Sequence, residues 1–539
     1  MLFCIHMKIW LKKGDIIEII VKYGGEYAQL LVQLAQAGEF MAEDLGVGYA
    51  VIYADEEDVG ALYGIPSVID IELPRDVYVN ELPSENDCPP SPEFRFSGYS
   101  GRGVLVGIVD TGIDYTNPEF LDSGGRTRIL SLWDQTYDGD PPQGFISGTE
   151  YTDKMINYAL MSPEPFSVIP PTDISGHGTA VAGIAAGTTM GRAFGADIIA
   201  VKTVRGSGEA STTVQLMRGL YYIIRKAQEL GKPLAVNISY GMNEGSHRGD
   251  SLFERYITDV SRLGRTSVTI PTGNEGGAGH HYSGRLSDGE TLDIDFFTAG
   301  NISSLYLSLW KDYTDEFSAE LILPNGKSTG IVNSFTNRAE SVIDGFSIKA
   351  FYGQPTRRSI FQEIFYDISP LYSQIPSGLW TLVLRAQNIV NGHFDIWLPT
   401  VEQAGTGTFF TEPSDELTMT IPSTADNVIR TAGYDRRTGS AAAFSGRGGG
   451  YPYCIRPDIA APGVNVSAPS LYGGISSVTG TSFASPLVTG IAAQLMEWGI
   501  VCGNSPFLYG EKLKAEIHLL ARRSDGVIYP DTVIGYGVI

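Results

Sequence analysis

The stretch VLVGIVDTGID occupies residues 104–114, and its first six residues are apolar or glycine before the acidic Asp110. A continuous apolar run of this length is typical of a strand that is buried on both faces, as in a parallel sheet. Helical stretches such as residues 212–231 separate it from similar runs at 196–204, 234–239 and 266–273. This alternation predicts an α/β fold in which helices cover both faces of a parallel sheet.

The first candidate for chemistry is Asp110, which ends this strand. Its carboxylate is predicted at the carboxyl edge of the sheet, where open α/β folds build their sites. Taken alone, an Asp at a strand end is more often a cap or a turn residue.

His177 lies in DISGHGTAVAGIAAG, residues 173–187, where the flanking glycines allow close backbone approach and the small residues predict a tightly packed helix. A lone His is usually structural, but this context favours a functional one.

Two further segments supply the remaining parts of a serine acyl-transfer site, which requires a nucleophile, a base, an orienting carboxylate and oxyanion donors. Ser482 lies in VTGTSFASPLVTGIAAQLMEWG, residues 478–499, at the predicted start of a helix. An N-cap serine is the structural alternative, and Pro486 fits the first turn under both interpretations. Asn274, in VTIPTGNEGG, follows another buried strand. By itself it is a turn residue, and with the others it is a candidate oxyanion donor.

The motifs DTGID, GHGTAVAG, PTGNEGG and GTSFASP occur in the order Asp, His, Asn, Ser, and together they resemble those of the subtilisin-like serine proteases. The resemblance covers most of residues 98–285 and 415–539, and it implies a subtilisin-like sheet between helices, with Asp110, His177 and Ser482 as the catalytic triad and Asn274 in the oxyanion hole. It also implies three substrate-binding segments, 201–210, 237–241 and 272–275. Their candidate residues are Arg205, Gly206, Ser207, Gly208, Ser239, Tyr240, Gly241, Thr272, Gly273 and Glu275.

Other functional classes remain as alternatives. A catalytically silent binding or signalling protein with the same fold would be expected to lack triad residues, which are intact here. A lipase or esterase would favour G-x-S-x-G around the nucleophile, whereas Ser482 lies in G-T-S-F-A-S. The acidic Glu275 beside Asn274 suggests a preference for a basic residue before the scissile bond.

Residues 1–97 are expected to form a separate unit and its linker. Residues 16–74 show strand, helix, strand, helix and strand patterns, and residues 81–93, rich in Pro, Ser and acid, are typical of an exposed linker. The unit resembles the ferredoxin-like prodomains of subtilisin-type proteases, which implies a zymogen that cleaves itself between about Arg75 and Gly98. A permanent regulatory domain is the alternative.

An all-β insertion is expected at residues 286–414, because short alternating and aromatic-rich strands replace the helical pattern there. It divides the catalytic domain into residues 98–285 and 415–539. This arrangement resembles the Csp group of clostridial subtilases, in which a jelly-roll domain interrupts the protease. That resemblance implies the activation of a protein precursor in spore germination.

The composition of the chain limits the classes of partner and cofactor that we expect. The formal net charge of −23 argues against nucleic acid, so the expected partners are a protein or peptide substrate and the cleaved prodomain, retained non-covalently. The four cysteines lack zinc spacing, and we expect them to be reduced. No cofactor is expected to be required, and structural calcium is not predicted from spacing. No membrane span or convincing signal peptide is predicted, which favours a cytoplasmic or spore-associated bacterial protein. The chain ends at VIGYGVI, just where the family usually continues into a closing segment, and the sequence leaves open whether it is truncated.

Overall fold

The computed structural model describes residues 16–79, 81–82, 98–206, 208–300, 302–356, 359–372, 374–449 and 455–539. These residues form an N-terminal α+β unit, a large sheet covered by helices, and an all-β unit inserted between two parts of that sheet. Residues 83–93 of the predicted linker and three of the four cysteines lie outside the described residues.

The N-terminal unit is a four-stranded antiparallel sheet with strand order β2-β3-β1-β4 and two helices. Its elements are β1 (Ile16–Tyr23), α1 (Tyr27–Ala37), β2 (Met41–Asp44), β3 (Tyr49–Asp55), α2 (Val59–Leu62) and β4 (Val68–Glu72). Successive side chains of β1 point to opposite faces of this sheet. One face packs against the two helices, and the other packs against the large sheet domain. A further strand, β5 (Asp76–Val79), leaves the unit and pairs with residues 211–212 and 240–241 of the large sheet domain.

The large sheet contains nine strands, most of them parallel, in the order β26-β25-β13-β11-β6-β9-β7-β8, and β27 also pairs with β25. The elements before the insertion are β6 (Leu105–Asp110), β7 (Ile129–Asp134), β8 (Thr149–Thr152), α3 (Asp153–Leu160), α4 (His177–Ala186), β9 (Asp197–Lys202), β10 (Ser211–Thr212), α5 (Thr213–Leu230), β11 (Leu234–Ile238), β12 (Tyr240–Gly241), α6 (Leu252–Ser261) and β13 (Thr266–Pro271). Two hydrophobic clusters fill its opposite faces. The predicted parallel sheet between helices is therefore present.

The inserted unit consists of two antiparallel sheets that share one hydrophobic core. Their strand orders are β14-β23-β16-β21-β20-β19 and β18-β17-β22-β15-β24. Its elements are β14 (His281–Arg285), β15 (Thr291–Thr298), β16 (Leu305–Asp312), β17 (Glu316–Ile322), β18 (Ser328–Val332), β19 (Arg338–Ile343), β20 (Phe346–Tyr352), β21 (Phe361–Pro370), β22 (Gly378–Gln387), β23 (His393–Trp397), α7 (Val401–Ala404) and β24 (Phe409–Phe410). The sheet begins at His281, before the predicted boundary at residue 286, because β14 pairs with β23. The jelly-roll topology stays a prediction.

After the insertion the chain returns to the large sheet and supplies its central helix. The elements are β25 (Ile429–Asp435), β26 (Ser440–Ala441), β27 (Ile459–Pro462), β28 (Val466–Pro469), β29 (Ile475–Val478), α8 (Thr481–Met496) and α9 (Gly510–Leu520). Every residue of α8 is buried, so this helix is enclosed on all sides rather than amphipathic. Among the described residues, no helix combines the length and apolar character that crossing a bilayer would require.

Candidate active site

Asp110 and His177 meet at the carboxyl edge of the large sheet. Asp110 is the last residue of β6, and His177 is the first residue of α4. His177 Nδ1 lies 2.7 Å from Asp110 Oδ1, and both side chains are buried. Burial opposes protonation of His177, but the Asp110 carboxylate outweighs it and raises the pKa of His177 to about 9. The contact fixes the ring so that Nε2 faces away from Asp110.

Glycine is required where these two motifs touch. A Cβ on Gly178 would lie 2.1 Å from the carbonyl oxygen of Gly112, which no real side chain tolerates. Gly112 has φ 123° and would itself place a Cβ 1.7 Å from Thr172 O. The glycines of DTG and HGT therefore allow β6 and α4 to approach closely enough for the Asp–His contact.

Asp173 holds the two motifs together, and the sequence analysis did not single it out. Its carboxylate accepts hydrogen bonds from the Thr111 hydroxyl at 3.1 Å and from the Thr179 hydroxyl at 2.6 Å. The Thr111 hydroxyl in turn accepts from the backbone N–H of Gly178 at 2.9 Å. A buried Asp close before GHGT was the available signal, since a buried carboxylate must have hydrogen-bond donors.

Ser482 is fully buried at the start of α8, where unpaired backbone N–H groups favour negative charge. Ser239 donates its hydroxyl hydrogen to Ser482 O at 3.1 Å, and Asn237 accepts from Ser485 at 2.7 Å, which ties α8 to β11. Among the described residues, neither Ser482 Oγ nor His177 Nε2 has a hydrogen-bond partner. Catalytic hydrogen bonds are often long before substrate binds, so this arrangement is compatible with a nucleophile and its base.

Asn274 lies beside the amino end of α8 with a defined orientation. Its Oδ1 accepts from the backbone N–H and from the hydroxyl of Thr481, both at 3.1 Å. Its Nδ2 is buried. Gly273 precedes it at φ 87°, and a Cβ there would lie 2.4 Å from Thr420 Oγ1. The amide is therefore held at the amino end of α8 by Thr481, and it also interacts with the Glu402 carboxyl.

The strand β5 of the N-terminal unit lies between two segments of the catalytic part. Val79 pairs with Tyr240 and Tyr78 with Gly241, while Val77 pairs with Ser211. Two of the predicted substrate-binding residues, Tyr240 and Gly241, thus pair with an extended chain in the structure. Ser239 contacts Ser482 directly, as described above.

On the other side of β5, the segment that pairs with it differs from the predicted substrate-binding segment. The strand there is β10, Ser211–Thr212, rather than residues 205–209. Arg205 and Gly206 instead donate their backbone N–H groups to Glu209, at 3.1 and 3.0 Å, in a turn before β10. Gly208 lies in the same turn with φ 75°, and Ser207 lies outside the described residues. The turn shortens the strand because Glu209 satisfies the N–H groups that would otherwise pair with a ligand.

Glu275, predicted to contact the substrate, is buried and already fully engaged. Its Oε2 accepts from Asn243 at 3.1 Å and contacts His280 Nδ1 at 2.6 Å, and its Oε1 accepts from the Val401 N–H at 2.9 Å. These contacts join the insertion to the site instead of facing the cleft. The segment that they hold, residues 398–404, brings Glu402 close to Asn274, a feature that sequence reasoning missed.

Metal sites are not evident in the described part of the chain. No group of three or more His, Cys, Asp or Glu side chains there has the arrangement of a metal site. The expectations on calcium and cofactors therefore stay predictions.

Comparison with known sequences gives two family matches. The sequence model of the subtilase family matches residues 101–345 and 403–537, and that of the Csp protease B prodomain matches residues 7–75. Subtilisin-like protease 9 of Arthroderma gypseum is 24% identical over 315 residues, 56% of this chain and 65% of that protein. The minor extracellular protease Vpr of Bacillus subtilis is 24% identical over 468 residues, 82% of this chain and 51% of that protein. The chain thus spans between half and two thirds of these relatives.

Solved structures agree with the sequence matches. The Clostridium perfringens CspB protease superposes with a TM-score of 0.75 and 37% identity, over 82% of this chain and 92% of that one. Fervidolysin from Fervidobacterium pennivorans, a keratinolytic enzyme related to subtilisin, has a TM-score of 0.51 and 14% identity, over 98% of this chain and 61% of that one. The second likeness concerns the fold alone.

Proposed function

Because the chain belongs to the subtilase family, we propose that it is a serine endopeptidase with Asp110, His177 and Ser482 as its triad. The observation that carries this proposal is the 2.7 Å contact between buried Asp110 and His177, whose ring centroid lies 5.1 Å from that of Phe483, the neighbour of Ser482. Asn274, held against the amino end of α8 by Thr481, is the proposed side-chain donor of the oxyanion hole.

The proposed chemistry follows from these positions. In its neutral form, which becomes abundant only as the pH approaches its raised pKa of about 9, His177 donates its Nδ1 hydrogen to Asp110. Nε2 is then the basic nitrogen and takes the proton of the Ser482 hydroxyl. Ser482 Oγ then attacks the peptide carbonyl, and Asn274 Nδ2 and the Ser482 backbone N–H donate to the resulting oxyanion. The protonated His177 returns its proton to the leaving amine, and water repeats the sequence on the acyl-enzyme.

We propose that the N-terminal unit is a prodomain and the first substrate. Its strand β5 pairs with Tyr240 through Val79, and the backbone N–H of Leu82 donates to Thr479 O at 3.0 Å. Val79 and Leu82 thus lie on the two sides of the Ser482 region, and the charge of Glu81 contributes to the raised pKa of His177. This register favours cleavage between Val79 and Leu82, within the predicted window of residues 75–98.

The proposed biological role is activation of a protein precursor, and the cleaved prodomain is the proposed second partner. The match to the Csp protease B prodomain and the 37% identity to the Clostridium perfringens CspB protease support a role like that of the Csp group. Spore germination is the role proposed from that context.

The test is intact-mass analysis of the purified wild type beside Ser482→Ala. We expect the wild type to split between Val79 and Leu82 and the variant to remain one chain, because Ser482 is the nucleophile. If both remain whole, a fluorophosphonate probe decides between a latent protease, which is labelled at Ser482, and a catalytically silent binding protein, which is not. Cleavage of both proteins at the same bond would refute the assignment of Ser482.

A further inference from the structure

A two-stranded sheet lies directly before the proposed nucleophile in the sequence. It consists of β28 and β29, which pair antiparallel. Thr479 follows β29 and lies three residues before Ser482 (482 − 479). A chain that pairs with the end of β29 therefore lies close to the proposed nucleophile.

The N-terminal unit joins this sheet on the side away from β28. The backbone N–H of Leu82 donates to Thr479 O at 3.0 Å, and the two residues form an antiparallel bridge. On the other side, the N–H of Gly480 donates to Gly463 O at 2.9 Å. Thr479 thus faces the chain that follows β5, whereas Gly480 faces the segment that precedes β28.

The alternation of the strand indicates which residues of β29 share the edge that Leu82 joins. In an antiparallel pair, successive residues direct their N–H and C=O groups to opposite edges. Because Thr479 faces Leu82, the backbone groups of Ser477 and Ile475 point to the same edge, and those of the residues between them point to β28. Ile475 is 71% exposed. The edge therefore continues for two further pairs, in the direction that an antiparallel chain takes after Leu82.

The hairpin of β28 and β29 is anchored to the protease at both ends. At its turn, the Tyr472 N–H donates to Asp114 Oδ2 at 2.7 Å, and Asn117 Nδ2 donates to Ser470 O at 2.8 Å. Three of its side chains lie in one of the two hydrophobic clusters of the large sheet: Val466, Ala468 and Val478. An edge that is held in place before binding loses little conformational freedom when a ligand pairs with it.

We propose that the edge of β29 binds the substrate chain beyond the scissile bond, which adds to the sheet as a third strand opposite Ser477 and Ile475. This inference rests on the proposed peptidase function and extends its substrate class. Strand addition of this kind takes its affinity from main-chain hydrogen bonds. A helix cannot offer those groups, so the proposed substrate is a protein that presents an extended segment after the bond to be cleaved.

Two observations favour the substrate chain over a second copy of the protein as the occupant. Val79 pairs with Tyr240 and Leu82 with Thr479, so the chain that leaves β5 reaches β29 after it has passed β12. The edge also continues in the register that Leu82 already has. A second copy would compete with the chain that occupies the first pair of this edge.

The first test is self-cleavage of the full chain with proline placed beyond Leu82, because proline removes a backbone N–H. Positions 84 and 85 lie outside the described residues, and the alternation of β29 predicts that the N–H at 84 faces Ser477 and the N–H at 85 points away. We expect Ser84→Pro to slow processing, followed by intact mass, by about 3- to 10-fold. The matched control Glu85→Pro should change the rate by less than about 2-fold. Equal rates for the two variants would overturn the proposal.

The second test uses the self-cleaved protein, diluted until the rate of peptide hydrolysis per molecule is constant. The substrates carry residues 76–82 of this chain followed by four alanines, with one amide replaced by an ester, which removes the N–H and adds no bulk. An ester at the second alanine should lower kcat/KM by about 3- to 10-fold, because its N–H faces Ser477. An ester at the first alanine should have less than about 2-fold effect. The opposite order, or no effect at either position, would contradict the proposed edge.

Controls separate this proposal from the peptidase function and from misfolding. Fluorophosphonate labelling of Ser482 and the melting temperature of each full-chain variant establish that the site is folded. A wild type that cleaves itself, with no difference between Ser84→Pro and Glu85→Pro, would refute the docking edge and leave the proposed function intact. Absence of both cleavage and labelling in the wild type would refute both.

Discussion

We expect Arg75→Met to weaken binding of the cleaved prodomain to the protease. The loss should exceed that caused by substituting a more exposed charged residue at the same interface. Arg75 is 12% exposed, with Nε 3.4 Å from Glu244 Oε1 and Nη1 3.9 Å from Glu72 Oε1. Glu363 of the insertion adds to the same negative field, and these carboxylates raise the pKa of Arg75 despite its burial. One buried cation therefore connects all three units of the chain.

The magnitude follows from that burial. Removing one partner of a buried ion pair costs about 3–5 kcal/mol, because the remaining charges stay buried without compensation. At about 1.4 kcal/mol per factor of ten, the dissociation constant should rise by roughly 100-fold or more. The matched control is Lys22→Met, since Lys22 and Asp259 are 25% and 34% exposed at 3.2 Å. Because solvent reaches this pair, it contributes about 0–1 kcal/mol, so the dissociation constant should rise by less than about 6-fold.

The assay uses the self-cleaved complex, diluted in steps, with the rate of peptide hydrolysis reporting the fraction of free protease. Methionine retains much of the apolar stem of Arg75, and the backbone contacts of Arg75 with Thr213 are unaffected. Combining Arg75→Met with Glu244→Gln should restore part of the affinity, because fewer buried charges remain unpaired. Equal dilution curves for Arg75→Met and Lys22→Met would refute the reasoning.

Three further results are expected. Asp110→Asn should slow self-cleavage by about 10⁴-fold, because the imidazole is then held in the wrong tautomer; rapid cleavage, timed by gel analysis, would contradict this. Asn274→Ala should lower the self-cleavage rate by about 10²–10³-fold, the effect measured for an oxyanion donor in subtilisin, with unchanged melting temperature. His247 is buried against Trp397, and burial lowers its pKa to about 4. A histidine in the unfolded chain titrates near pH 6.5, so the free energy of unfolding should fall by about 3 kcal/mol as the pH drops from 6.5 to 4. The test compares Ser482→Ala with the double variant Ser482→Ala/His247→Gln. The melting temperature of the double variant should depend less on pH over this range.

The sequence predicted the α/β architecture because its strands are buried on both faces and its helices carry distinctive small-residue motifs. The subtilase resemblance and the Csp-type prodomain are confirmed by the family matches. The contact between Asp110 and His177 was foreseeable, since both residues lie in glycine-rich segments at the edge of the same sheet. The roles of these residues remain predictions that the variants above test.

Other features depend on tertiary contacts that a local pattern cannot reveal. Glu402 lies in TVEQA, which resembles an ordinary exposed turn, and it reaches Asn274 only because the insertion folds its ends together. Glu275 looked available for substrate because its partners, Asn243 and His280, were not recognisable from spacing. Likewise, the turn closed by Glu209 shifts the cleft strand to residues 211–212.

The placement of the insertion also has a consequence for synthesis of the chain. Asn274 and Ser482 are separated by 208 residues (482 − 274), and most of that distance is the all-β unit. At about 5–20 residues per second, a ribosome needs on the order of 10–40 s to pass from one to the other. During that interval the prodomain has emerged, whereas α8, which carries the proposed nucleophile and packs on the middle strands of the large sheet, does not yet exist. The nascent chain therefore lacks the proposed nucleophile, and with it the proposed triad, until the ribosome has passed residue 482.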